Sequence, residues 1–413
     1  MRALRAGLIA WSVAVPAVAQ ERPVLEREVT IERVVEYARE RSARTRALRS
    51  EGAVAEADVA VAAVYPNPTV SYSVYGRVRG QSEAINGSQH QVWVEQPILL
   101  GQDGRRRDAA RGAAMARRAE IEASVFDVTI EARQRFVALL AAQEVVRLLE
   151  AMRAELGRLS DLVQGRAASG AQSTYDVARV EMEVAQLDAR IAGAQADVSE
   201  RSAALAGWLG LVGWSPVARG DFPTQAAALT FERLWPMALA RSAGLIAARR
   251  RVAATTLDVR RAERERWPIP TLGLGTYVTT DGGSTSLYGS VSLPVPLWDT
   301  GSAQLSRSRA AGVAAAAGEQ AIEAELHARL QGAVLAHDAR RAALERHQQG
   351  AMAGLARLRE MAEVSYRSGA SRIFDLLDAF RTQLAVQEQR IELIETLERS
   401  RIEVDAAAGF EAP

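Results

Sequence analysis

The residues with the clearest chemical potential are two aspartates. In the stretch GASRIFDLLDAF, Gly369 to Phe380, Asp375 and Asp378 sit three residues apart in an otherwise apolar run. On a helix that spacing puts both carboxylates on nearly one face. A catalytic pair, as in glycoside cleavage, must flank the scissile bond; two acids on one helix turn cannot easily do so. A hard cation such as calcium accepts carboxylates but needs about six oxygens, so the pair would have to be shared between copies. A structural role is also open. Ser371 would cap the helix, with Asp375 in its first turn, where the helix dipole favours an acid. Ser173 and Asp176 repeat that arrangement in the first half of the chain, but Arg179 stands where Asp378 would be. The remaining possibility is a ring of charge formed where several copies meet. Close carboxylates repel and raise one another's pKa, and acid rings in pores select cations. Because only the second half carries both acids, the ring is the preferred reading.

Little else in the chain suggests chemistry. There is no Cys. The four histidines, His90, His327, His337 and His347, show no ligand spacing and read as exposed polar helix residues. No phosphate loop or nucleophile elbow occurs, since the glycines of Leu272–Thr276 belong to a strand pattern. The expectation is no enzyme, no cofactor and no metal site. A net charge of +1 on 413 residues leaves no nucleic-acid footprint. Basic and acidic residues alternate along helical stretches, as on solvated faces.

Arg2 and Arg5, the apolar run from Ala6 to Val15, Pro16 and a small-residue site predict a secretory leader over residues 1–19. That run is too short to span a bilayer as a helix, and the absence of Cys excludes a lipidated N-terminal cysteine. The chain repeats itself. Asp176 matches Asp375, Pro97 matches Pro296 and Gly210 matches Gly409, each at an offset of 199 residues. YPNPTV from Tyr65 matches WPIPTL from Trp267 at an offset of 202. The mature chain therefore divides into repeat one over 20–215 and repeat two over 216–413.

Each repeat opens with a helical segment, Ile31–Val64 or Phe231–Arg266, stopped by Pro-x-Pro. A pair of strands follows, within about 68–98 or 270–296, marked by period-two alternation such as Val70, Tyr72 and Val74. Tyr72, Tyr75, Trp93, Tyr277, Tyr288 and Trp298 lie in or beside these hairpins, where an aromatic girdle at a membrane interface would place them. Long helical hairpins complete the repeats, over about 102–210 and 300–408, with heptad seams such as Val177, Val180, Val184, Leu187, Ile191 and Ala194. The run Gln102–Gln164 would reach about 90 Å at 1.5 Å per residue. Strands in lipid must close into a barrel, and single-chain bacterial barrels have at least about eight strands. Four per chain are too few, so several copies must pool theirs.

Taken together, the leader, the duplicated unit, YPNP, QPILLG, VPLWDTG and YRSGASRIFDLLDAFR resemble TolC-like outer-membrane efflux proteins, over nearly the whole mature chain. The Pro-Asn-Pro and Gln-Pro stretches look closest to the CzcC-like branch serving cation and metal efflux. The resemblance implies a mainly α fold with β-hairpins: a homotrimer whose long coiled-coil helices form a periplasmic α-barrel joined to a 12-stranded transmembrane β-barrel. It implies a location in the outer-membrane lipid extending into the periplasm. It also implies partnership with a periplasmic adaptor, a membrane fusion protein, and an inner-membrane pump of resistance–nodulation–division type. Asp375 and Asp378 match the family's acid gate. Tyr366, Gly369, Arg372, Gly170 and Asp176 fall at its periplasmic tip. The competing reading is a periplasmic structural or adaptor coiled coil.

Overall fold

A computed structural model describes residues 25–76, 88–168, 173–222, 230–280 and 283–410. The leader segment and Gly170 lie outside them.

Pro66 and Pro68, like Pro268 and Pro270, stop helix and start strand. The first half contributes β1 (Glu28–Val29), α1 (Ile31–Glu40), α2 (Ala43–Ala63), β2 (Thr69–Tyr75), β3 (Gln89–Pro97), α3 (Gln102–Ala168) and α4 (Thr174–Leu209). After β4 (Val217–Ala218) the order recurs as α5 (Phe231–Arg241), α6 (Ala243–Glu265), β5 (Thr271–Thr279), β6 (Thr285–Ser292), α7 (Ser302–His347), α8 (Ala353–Arg367) and α9 (Ile373–Ala408). At 67 residues, α3 runs about 100 Å. Its counterpart is not continuous, since a π-turn at Gln348–Met352 separates α7 from α8.

The opening helical segment of each half is two helices rather than one. At Ser42 the chain leaves helical geometry, and the Ser42 side chain accepts from the Thr45 N–H at 3.1 Å while donating to Ala38 O at 2.9 Å. The Ser242 side chain likewise accepts from the Leu245 N–H at the start of α6, at 3.4 Å. A serine that can satisfy both helix ends makes a break as favourable as continuation. The break leaves the start of α2 to meet the end of α4. Gly210 closes α4 at φ 74°, and a Cβ there would lie 2.6 Å from the Ala43 Cβ. Gly409 closes α9 at φ 77° against the Arg241 backbone. Both positions need glycine for conformation and for room. Two shorter helices stacked end to end thus accompany each long one.

Four strands form one antiparallel sheet in the order β2-β3-β5-β6. Its two faces differ. Val70, Val94 and Leu274 stand in one cross-strand row and Tyr72, Val92 and Leu287 in the next, all exposed. The opposite face carries Ser71, Gln91, Glu95, Tyr277 and Ser290. Tyr75, Trp93, Tyr277 and Tyr288 lie on this polar face, so the expected girdle is largely absent from the apolar side, where only Tyr72 of the four-strand aromatics stands. Glycine draws the rings inward: Trp93 lies across Gly273 and Gly275, where any Cβ would overlap its ring. It stacks on Tyr288 at 4.7 Å and donates Nε1–H to Glu95 at 2.8 Å. This assembly locks the register of β3 on β5, the pair that joins the two halves.

Helix packing is apolar with ionic edges. One cluster joins Leu149, Leu156 and Val163 of α3 to Val180 and Leu187 of α4 and to Leu377, Phe380 and Leu384 of α9. All 51 basic residues are arginine, so every Arg/Lys-type ion pair uses a guanidinium able to grip a carboxylate in two places. No described helix is long and apolar enough to cross a membrane.

Gly275→Val removes the seat of Trp93. The expected cost is about 1–3 kcal/mol of overpacking strain, seen as a lower Tm and faster proteolysis of the sheet than for Gly289→Val, whose Cβ meets nothing closer than 3.5 Å.

Candidate functional site

The helical end opposite the sheet gathers most of the residues singled out from sequence. There α3 gives way to α4, and α8 to α9. One open cleft is lined by Asp176 and Arg179 of α4, Tyr366 of α8, and Gly369, Arg372 and Phe374 around the start of α9. Gly369, at φ 75°, ends α8. Asp176 sits in the first turn of α4 beneath the Ser173 cap, whose side chain accepts from Tyr175 N–H. Tyr366 is 2% exposed, so its carbonyl, which accepts from Arg166 at 3.1 Å, holds the end of α3 to the end of α8. The Arg166 guanidinium also lies over the Tyr366 ring at 5.4 Å. Burial pushes the Tyr366 hydroxyl pKa up, with Arg166 opposing and Asp176 reinforcing.

The two aspartates do different local work. Residue Arg372, not Ser371, is the cap of α9, and Asp375 Oδ2 accepts its N–H at 3.0 Å. Ser371 is one residue too early; its hydroxyl is buried without a partner. Asp375 is therefore the returning half of a capping box. Asp378, one turn on, is exposed and makes no side-chain hydrogen bond or ion pair among the described residues. The capping role explains Asp375 but not Asp378, whose charge acts locally only on Arg381, one turn on, behind the Glu183 pair.

The halves are stitched together by contacts that the apolar periodicity did not announce. Arg381 of α9 pairs with Glu183 of α4, and Glu388 of α9 with Arg190 of α4. Arg179 stands over the Phe374 ring at 5.9 Å. Both ion pairs span 198 residues, close to the repeat offset. Equivalent heights of α4 and α9 thus carry opposite charges, a signal available from a charge comparison at that offset.

Histidine placement corrects the uniform expectation of exposed helix residues. His327 is exposed, edge-on to Phe231 and Trp235. His347 Nε2 lies 3.0 Å from Val386 O, and His90 contacts Tyr72 and Ser88 on the sheet. His337 is 1% exposed. Its Nδ1 lies 3.2 Å from Ser400 Oγ, whose proton goes to Leu397 O. Beside it is a charged knot. Arg133 of α3, 3% exposed, donates to Asp405 of α9 at 3.0 Å, with buried Glu398 nearby. Burial raises the Glu398 and Asp405 carboxyl pKa values, against the opposing pull of Arg133 and Arg401, and burial lowers that of His337. Among the described residues no group of three or more His, Cys, Asp or Glu could hold a metal.

Long helices ending in a two-faced sheet are shared with solved structures. A Pseudomonas aeruginosa membrane protein matches with TM-score 0.75 at 20% identity, over 92% of this chain and 90% of that one. The outer-membrane channel OprN matches at 0.74 and 21%, over 92% and 89%. The open-state outer-membrane channel MtrE of Neisseria gonorrhoeae matches at 0.71 and 16%, over 92% and 89%. The chain has the fold of these channels. No protein-family model matches it, and neither does any curated protein. In this fold the cleft lies at the far end of the helices from the four-stranded sheet.

Two outcomes are expected. Asp375→Ala removes both the acceptor of the Arg372 N–H and a charge favoured by the helix dipole, and should cost about 0.3–1 kcal/mol, more than Asp378→Ala; thermal unfolding followed by circular dichroism separates them. The raised Glu398 carboxyl makes the folded state bind a proton more tightly than the unfolded one. Its contribution therefore improves as pH falls through the raised value. Glu398→Gln should raise Tm at pH 7.5 and lose that advantage below the ordinary carboxylate value of 4.5.

Proposed function

We propose that this chain is the outer-membrane channel of a tripartite efflux or export system. It conducts substrates delivered by an inner-membrane pump and a periplasmic adaptor, and it is not an enzyme. The observation that carries this reading is the sheet. It has one apolar face, one polar face, free edges at β2 and β6, and no helical layer on its apolar side. An apolar face belongs in lipid, and lipid tolerates no open edge. Edge β6 of one copy meeting β2 of the next satisfies both. Three copies give twelve strands, with the polar face and its Trp93–Tyr288 stacks lining the lumen. The fold shared with outer-membrane channels supports this reading, as does the resemblance in Tyr65–Pro68, Gln96–Gly101 and Tyr366–Arg381.

The remaining assignments belong to the same proposal. Residues 1–19 are a secretory leader, and 20–215 and 216–413 are the two repeats. The pump is of resistance–nodulation–division type. In the trimer Asp375 and Asp378 form acid rings at the closed tip. Tyr366, Arg372, Gly369 and Asp176 are contact residues at the tip, and Gly170, which lies outside the described residues, is assigned with them from the sequence alone. Asp378 supports this best, being exposed and held by no hydrogen bond or ion pair among the described residues.

Oligomer mass of the detergent-purified protein and single-channel conductance in a planar bilayer test the reading together. Three copies with small cation-selective currents are expected. Replacing Asp375 and Asp378 by Ala should lower cation selectivity. A soluble monomer that never inserts would end the channel reading, and unchanged selectivity would end the acid-gate assignment.

A further inference from the structure

Above the tip, a cavity of about 230 Å³ opens between α3, α8 and α9. Leu159 and Leu162 form one wall, and Leu376, Ala379 and Phe380 the other. Two polar side chains within this lining are poorly satisfied. Tyr366 is 2% exposed, and its hydroxyl has no partner. Gln383 is 8% exposed, and the bond recorded for its side chain is a weak 3.6 Å contact to Met152 Sδ. Buried polar groups normally find partners, and exceptions call for a missing one. The rim carries three arginines and two glutamates. Arg359 is committed to Glu155 at 2.7 Å and Arg367 to Glu363. Arg158 has no ion pair among the described residues.

The geometry points to a binding site for a small amphipathic carboxylate with a one- or two-ring apolar body. A cavity of about 150 Å³ takes benzene, so this one has room for a bicyclic ring. The ring sits among the leucines and Phe380. A ligand acceptor takes the Tyr366 hydroxyl proton, and the carboxylate reaches Arg158 at the mouth. Three features thus agree on one ligand class: apolar walls, a donor in the lining and an unspent guanidinium at the entrance. The bound molecule bridges α3 to α8 across the gap now spanned by Arg359–Glu155. The lining comes entirely from α3, α8 and α9 of one chain.

Equilibrium dialysis of the full-length protein in detergent tests this, with 1-naphthaleneacetate as probe, its neutral amide as control, and micelles alone as blank. Saturable binding of one probe per chain is expected. Arg158→Gln should weaken the carboxylate about tenfold or more, as for loss of a charge-assisted bond, and leave the amide unchanged. Tyr366→Phe should weaken both by about two- to tenfold. Ala379→Phe fills the space and should abolish binding of both, with Leu162→Phe as a second filling variant should the first fail to fold. Binding no greater than that of the micelle blank overturns the site. So does binding that persists unchanged in a folded cavity-filling variant, or equal loss of acid and amide on Arg158→Gln.

Discussion

Antiparallel hydrogen bonding between β3 and β5 joins what the chain makes twice. Each repeat supplies one hairpin, and a lone hairpin is marginal in water. Pairing the inner strands produces a four-stranded surface, and it brings α3 beside α6 and, further along, α4 beside α9. Trp93 fixes that register because Gly273 and Gly275 leave its ring the only place it fits. A slip by one residue would turn every valine and leucine of the apolar face inward. The helices inherit their alignment from this seam. The complementary charges of Arg381 with Glu183 and Arg190 with Glu388 meet only when the halves stand level.

The surface so formed is unfinished. One face lacks a covering layer, and β2 and β6 present unpaired backbone groups along their outer edges. Soluble proteins blunt such edges with charge, proline or short strands. Here β2 spans seven residues and β6 eight, with Val70, Tyr72, Val74, Leu287 and Val291 exposed. Exposed apolar area and free edges in the same element are both covered by the proposed arrangement, lipid on one face and a neighbouring copy at each edge.

Much of this was legible in the residues. Proline pairs and period-two alternation located the hairpins, and steps of three and four located the helices and their seam. What escaped depended on local competition or on tertiary distance. The break at Ser42 is decided by one hydroxyl that serves two helix ends, within a stretch whose residues otherwise suit continuous helix. Ser371 looked like the cap of α9, yet the chain turns one residue later and Asp375 closes onto Arg372. Aromatic residues near the strands suggested an interface girdle, but which face a ring takes follows from parity against a glycine-bearing neighbour. His337 and Arg133 are buried because three helices converge on them, which neither flanking sequence records.

The end-to-end joints at Gly210 and Gly409 have a mechanical consequence. A helix such as α3 carries axial thrust through covalent bonds and a continuous ladder. The stack of α4 on α2 carries it through non-covalent contact at Gly210 and Ala43, and so does that of α9 against the α5–α6 corner at Gly409 and Arg241. Such a joint transmits compression and resists tension and bending weakly. A column continuous on one side and spliced on the other flexes at the splice. In the first half the splice at Gly210 is the one interruption beside a continuous α3, whereas the second half adds the π-turn at Gln348–Met352, so the two hairpins bend at different places.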